Sequence, residues 1–136
     1  MSDIPIDEVT APWWDATRDS RFMLQRCLSC RLWQHYPRAL CTHCGGVELV
    51  YADASGRGTV DVATEVRRAP RPDLEVPYVI ARVRLEEGPI LLTRLVDTDE
   101  TARQTGRPVV VTWQTLPDGR QLPVFRPDRS PDSERP

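Results

Sequence analysis

From Thr59 onward the chain alternates apolar and polar positions with the period of two that half-buried strands require. Over residues 59–66, Val60, Val62 and Val66 fall on one face, with Asp61 and Glu65 on the other. Tyr78 to Leu85 repeats the pattern, placing Val79, Ala81, Val83 and Leu85 together opposite Arg82 and Arg84. Ile90 to Val96 is apolar on both faces, as expected of a strand deep inside a barrel. Glu86-Glu87-Gly88 between those two runs predicts a hairpin. Val109 to Gln114 and Leu122 to Arg126 complete the set, joined by the turn Pro117-Asp118-Gly119-Arg120. Asp99 to Thr105 is expected to make one or two helical turns, stopped by Gly106 and Pro108.

The first half of the chain is patterned differently. Thr10 is placed as a helix N-cap, Pro12 is tolerated in the first turn, and Trp13, Trp14 and Thr17 form a short stripe. Adjacent tryptophans on a one-sided helix cannot both face one core. One is therefore expected inside and the other on a partner or a neighbouring element, the alternative being that both are ordinary packing residues. Phe22 to Arg26 and Leu32 to Tyr36 read as two strand arms, and Pro37 to Leu40 as the link that follows them. Five short strands with a small insert after the third is the order of an OB-fold. The expected architecture is mainly β. An N-terminal arm and helix (1–20) and a ribbon module (21–51) precede a five-stranded OB barrel (52–127) and a disordered polar tail (128–136).

The four cysteines explain how so small a ribbon could fold. They form two Cys-x-x-Cys pairs, Cys27/Cys30 and Cys41/Cys44, ten residues apart. Each pair can clasp one side of a tetrahedral Zn²⁺, and metal binding then supplies much of the folding free energy. Gly45-Gly46 closes the second pair and can take left-handed backbone. Iron is the alternative occupant of such a cage. A disulfide framework would need an oxidising compartment, whereas the acidic start of the chain lacks the basic and apolar parts of a signal peptide. A cytoplasmic location is expected. His35 and His43 are read as packing or surface residues, because four thiolates already complete the tetrahedron. Such a site is structural, with no open position for water or substrate.

Charge and composition narrow the function further. The net charge is −2 and the sequence pI about 5.7, which gives no general drive toward nucleic acid. All 18 basic residues are arginine, so lysine chemistry is excluded and anion recognition would be bidentate. No apolar run is long enough to span a bilayer. Arg67, Arg68 and Arg71 form a stiff basic loop with Pro70 and Pro72, read first as solvated and second as a contact for an anionic ligand or an acidic partner. Gly56-x-Gly58 precedes a strand, so it reads as a turn into the barrel and not as a phosphate cradle. Asp97, Asp99 and Glu100 sit where a helix start favours acids. No Ser, His and Asp set forms a triad. The competing reading is a nucleic-acid-binding module, a role both folds often serve. The thin aromatic supply, mainly Tyr78, Trp113 and Phe125, weighs against it.

Pro12-Trp13-Trp14, the Cys-x2-Cys-x10-Cys-x2-Cys spacing and Tyr36-Pro37-Arg38 resemble the rubredoxin-like zinc-ribbon half of the DUF35 family. Gly56 to Val60, Pro77-Tyr78-Val79, Gly106 to Val109 and Pro123 to Pro127 resemble its OB-fold half. The resemblance runs from about Pro12 to Pro127. It implies a non-catalytic subunit of a thiolase-like enzyme: an acyl-CoA thiolase, a steroid side-chain aldolase or a hydroxymethylglutaryl-CoA synthase. Some relatives are fused to MaoC-like hydratase domains, and this chain is expected to act as a free-standing subunit or an excised domain. The implied complex is a hetero-oligomer with acyl-CoA at or near the interface. Trp13, Trp14, Trp33 and Tyr36 are the candidate contacts, as aromatics least easily buried in a small module.

Overall fold

The computed structural model describes residues 4–129. Residues 130–136, most of the expected disordered tail, lie outside the described residues. One short helix, α1 (Ala11–Thr17), precedes a three-stranded antiparallel sheet of β1 (Met23–Cys27), β2 (Trp33–Gln34) and β3 (Leu49–Asp53), in the order β2-β1-β3. The pairing of β3 with β1 runs from Met23↔Asp53 to Cys27↔Leu49 and was not expected from sequence. An Arg21–Asp53 ion pair at 2.9 Å closes its far end.

The second half is a closed five-stranded barrel. Its strands are β4 (Arg57–Val66), β5 (Tyr78–Leu85), β6 (Ile90–Leu95), β7 (Pro108–Thr115) and β8 (Gln121–Pro127), in the spatial order β4-β5-β6-β8-β7. Neighbours are antiparallel except β6 and β8, which run parallel and register only at Leu95↔Phe125. This is the OB-fold. Val83, Val109 and Phe125 are fully enclosed at its centre. Gly58 lets β4 cross β5 closely, since a Cβ there would sit 2.5 Å from the Arg84 carbonyl oxygen.

Several expectations need correction. Asp61 is the extra residue of a bulge, since Val60 pairs with Val83 but Val62 pairs with Arg82. The bulge turns Val62 outward while Val60 stays buried, so the two do not share a face. Ile90–Leu95 is not enclosed on both faces: Leu91, Thr93 and Leu95 point in, while Leu92 is 60% exposed. Asp99 to Thr105 forms hydrogen-bonded turns and no helix, with the Ala102 amide donating to the Asp99 side chain at 2.7 Å.

Both tryptophans of α1 are buried, at 7% and 8% exposure, each on a different neighbouring element, one of the arrangements the sequence left open. The reason is that α1 is wedged between ribbon and barrel and so has two apolar neighbours. Trp13 donates its indole N–H to the Met23 carbonyl at 2.8 Å, on the ribbon side. Trp14 lies beneath the Arg120 guanidinium, 4.6 Å away, on the barrel side. Thr10 occupies the N-cap position, but its side chain makes no cap bond to the helix. Asp7 takes the local role, accepting the Thr10 amide at 2.8 Å. The Gln121 amide donates to the Thr17 hydroxyl at 3.2 Å, fixing the C-terminal end of the helix to β8.

Candidate metal centre and its supports

β1 delivers Cys27 at its last position, and the chain then folds back through Cys30. The Arg31 amide donates to the Cys27 carbonyl at 2.8 Å, with Arg31 at φ +67°. The second knuckle repeats this geometry: the Gly45 amide donates to the Cys41 carbonyl at 3.0 Å, with Gly45 at φ +77°. Glycine is the residue that takes this backbone without strain. Next to it, Gly46 keeps the cage clear, because a Cβ there would meet Cys44 Sγ at 3.3 Å.

The two knuckles face each other across the sulfurs. Cys27 Sγ lies 3.6 Å from Cys44 Sγ, and Cys30 Sγ lies 3.7 Å from Cys41 Sγ. All four sulfurs fall within 4.8 Å of one another. A tetrahedron with metal–sulfur arms of about 2.3 Å has edges of about 3.8 Å, so these spacings suit one Zn²⁺. They are far from the ~2.05 Å of a disulfide, and all four cysteines are free. Backbone amides of Cys30, His43 and Gly46 point at the sulfurs of Cys27, Cys41 and Cys44 at 3.5, 3.4 and 3.4 Å. Such donors stabilise thiolates. The Cys27 thiol is pulled down to about 6, chiefly by the Cys30 amide.

Sequence reasoning missed the supports of this cage. Gln25 and Gln34 face each other across β1 and β2 and are both buried. Gln34 donates from Nε2 to Gln25 Oε1 at 2.8 Å, and its own Oε1 accepts the Thr42 amide at 2.8 Å. Gln25 accepts the Arg38 amide and donates to the Arg38 carbonyl, at 2.8 and 2.9 Å. The pair thus holds the link over residues 36–40 and sets the start of the second knuckle. The signal was two polar residues at paired positions of the hairpin arms, and a strand reading treats such residues as solvent-facing.

The histidines stay outside the cage. His43 Nε2 lies 3.2 Å from the Trp33 carbonyl oxygen. His35 packs its ring against Trp13 and Tyr36, at centroid distances of 5.6 and 4.4 Å, and burial pushes its pKa down to about 4. Trp33 is half-buried, with the Arg26 guanidinium 5.2 Å from its ring. Tyr36 is 48% exposed, and its hydroxyl accepts the Leu92 amide of β6 at 2.9 Å. The metal ligands and Tyr36 are therefore linked through one loop to the barrel. Trp13 and Trp14 are largely buried, and both line a cleft shared with Tyr36 and Leu92.

In the basic loop, Arg67 pairs with Glu65 at 2.8 Å and Arg71 with Asp73 at 2.7 Å, while Arg68 is exposed. Much of the positive charge expected there is met within the chain. Arg120, which sequence gave no reason to single out, is only 2% exposed. It is held by Asp118 at 2.7 Å and by the Ile4 carbonyl at 2.9 Å.

Residues 14–50 match the family described as "ChsH2, rubredoxin-like zinc ribbon domain", and residues 51–114 match "ChsH2, C-terminal OB-fold domain". In three dimensions the chain is similar to a chain of the solved structure "Ltp2-ChsH2(DUF35) aldolase". The TM-score is 0.82 at 36% identity, covering 91% of this chain and 98% of that one. This chain belongs to the ChsH2 family of DUF35 proteins. Among curated relatives, the probable enoyl-CoA hydratase alpha subunit of Thermomonospora curvata is 37% identical over 90% of this chain. The 3-oxo-4,17-pregnadiene-20-carboxyl-CoA hydratase alpha subunit of Mycobacterium tuberculosis is 36% identical over 88% of it. The chain spans 38% of the length of each of those subunits. A DUF35 domain-containing scaffold protein of Pyrococcus furiosus is 36% identical over 58% of this chain and 59% of its own length. As in the family's ribbon, the four-cysteine cage is a structural zinc site. Among the described residues, no helix is long and apolar enough to cross a membrane.

Proposed function

We propose that this chain is a non-catalytic, zinc-containing subunit that binds a thiolase-like enzyme acting on acyl-CoA and supports that enzyme's stability and acyl-CoA site. The observation that carries the reading is the likeness to the ChsH2 (DUF35) chain of an aldolase over 98% of that chain's length. The chemistry of the cage supports it. All four cysteines lie in the metal cluster, so none serves as a nucleophile, and a four-thiolate zinc has no position for a reactive water. The names of the relatives, a hydratase alpha subunit and a scaffold protein, fit a subunit whose work is done within a complex. The partner carries the reacting groups. Acyl-CoA lies at or near the interface, where Arg68 and its neighbours Arg67 and Arg71 are the candidates for its phosphates. Steroid side-chain degradation is the favoured setting.

The test is co-expression with a thiolase-like protein from the same genome, followed by size-exclusion chromatography. Co-elution as one zinc-containing hetero-oligomer is the expected result. Separate elution of two well-folded proteins would contradict the reading.

A further inference from the structure

Three shallow apolar clefts on the outside of the barrel share one side chain, Leu92. Its 60% exposure is unusual for leucine in the middle of a strand, where the solvent face is ordinarily polar. The register explains what surrounds it. Val62 of β4, Arg82 of β5 and Leu92 of β6 form one row across the sheet, and Ile80 and Arg94 form the next. The outward positions of β5 and β6 carry apolar residues, Tyr78 and arginines, with no carboxylate among them. The nearest acid in the row is Asp61 at the bulge, 3.7 Å from Arg82. Arg94 lies over the Tyr78 ring at 4.9 Å, and its Nε is buried without a hydrogen-bond partner among the described residues. Tyr36 extends the face onto the ribbon, because its hydroxyl is bonded to the Leu92 amide. A cleft of about 250 Å³ lies between Tyr36, Leu92 and Pro123.

We propose that the outer face of β4–β6, centred on Leu92 and bordered by Arg82 and Arg94, is the docking surface for the catalytic subunit. The fitting partner surface is an apolar projection flanked by Asp and Glu. The inference rests on the reading that such a subunit exists. Charge decides the occupant. Twofold pairing of two copies through this face would set arginines of one copy against arginines of the other. Single-stranded nucleic acid needs open aromatic platforms, and the Tyr78 ring is covered by Arg94. A protein with carboxylates satisfies both the apolar centre and the arginine border.

The probe is the thiolase-like protein that co-elutes with this chain in the co-expression test above, titrated by calorimetry with the full-length zinc-loaded chain. Leu92→Asp should weaken binding by at least about 30-fold, as loss of an interface anchor does. Arg82→Glu should weaken it roughly tenfold and flatten its salt dependence. Both sites are exposed, so zinc content and melting temperature should match the wild type. Wild-type binding that Leu92→Asp leaves unchanged overturns the face while leaving the subunit reading intact. No binding by the wild type overturns both. Wild-type self-association that Leu92→Asp abolishes, or oligonucleotide binding that Arg82→Glu abolishes, also overturns the proposal by assigning the face to another occupant.

Discussion

In the barrel, Val60, Val83, Val109 and Phe125 are buried to 1% exposure or less, and all are apolar. In the ribbon, the most buried side chains are Leu24, Cys27, Cys41, Gln25, Gln34 and Phe22, while Leu28, Leu32, Leu40 and Val47 remain at least half exposed. The barrel is thus held by burial of apolar surface, which requires many residues and no cofactor. The ribbon has too few residues for that. It relies on thiolates that need a cation and on glutamines that need each other. One chain therefore contains two halves that should fail under different insults, joined by α1, by Phe22 against Phe125 and by the Tyr36 hydroxyl on the Leu92 amide.

Metal removal should separate the halves most sharply. Reduced, chelator-free protein is expected to contain one zinc per chain, and Cys27→Ser or Cys44→Ser should unfold the ribbon. Structural zinc sites in small finger peptides supply an apparent ~10–16 kcal/mol, so the loss should be complete for the ribbon. Heteronuclear NMR should then show barrel amides still dispersed. Metal analysis finding neither zinc nor iron would refute the first half of this expectation, and simultaneous collapse of the barrel would refute the second.

The converse insult is Phe125→Ala, which should cost about 3–5 kcal/mol by opening a cavity at the centre of the barrel. Denaturant midpoints should fall while the zinc content of the folded protein stays at the wild-type level. Zinc loss under native conditions would show that the halves are not separable.

At the seam, acid should expose His35. The unfolded imidazole takes up a proton near pH 6.5 and the folded one only near 4, because burial disfavours the cation. Between those values the unfolded state binds more protons, so this contribution is complete above pH 6.5 and is lost as pH falls toward 4. The loss is about 3 kcal/mol at most. Comparing stability against pH for the wild type and His35→Phe isolates it. Parallel curves would contradict the assignment. The smallest effect belongs to Tyr36→Phe, which removes the acceptor of the Leu92 amide and should cost about 1 kcal/mol. Faster hydrogen exchange at Leu92 is the readout, and unchanged exchange would show that the contact does not matter.

The two halves also differed in how much of them could be read in advance. The cage was legible because all its ligands sit in two short local turns, and spacing alone decides whether four sulfurs can meet. In β5 the alternation is unbroken, so every inward residue was placed correctly. In β4 the run Val60-Asp61-Val62 alternates whether or not a bulge is present, so sequence could not show that Val62 turns outward. Leu92 was misplaced because the run Pro89-Ile90-Leu91-Leu92 is continuously apolar and gives no sign of which residue turns outward. Sequence left the placement of Trp13 and Trp14 open, because only the fold shows that α1 has a neighbour on each side. Gln25, Gln34 and Arg120 were invisible for one shared reason. Their partners are mostly backbone groups, whose positions exist only once the chain is folded.

The central claim is that this chain supports catalysis on a partner and performs none itself. Titrating the zinc-loaded chain into the separately purified thiolase-like enzyme, while following acyl-CoA turnover, tests it most directly. The account predicts no turnover by this chain alone and activity of the enzyme that rises with added chain and saturates at a fixed stoichiometry. Full activity of the enzyme without the chain, or turnover by the chain alone, would contradict it.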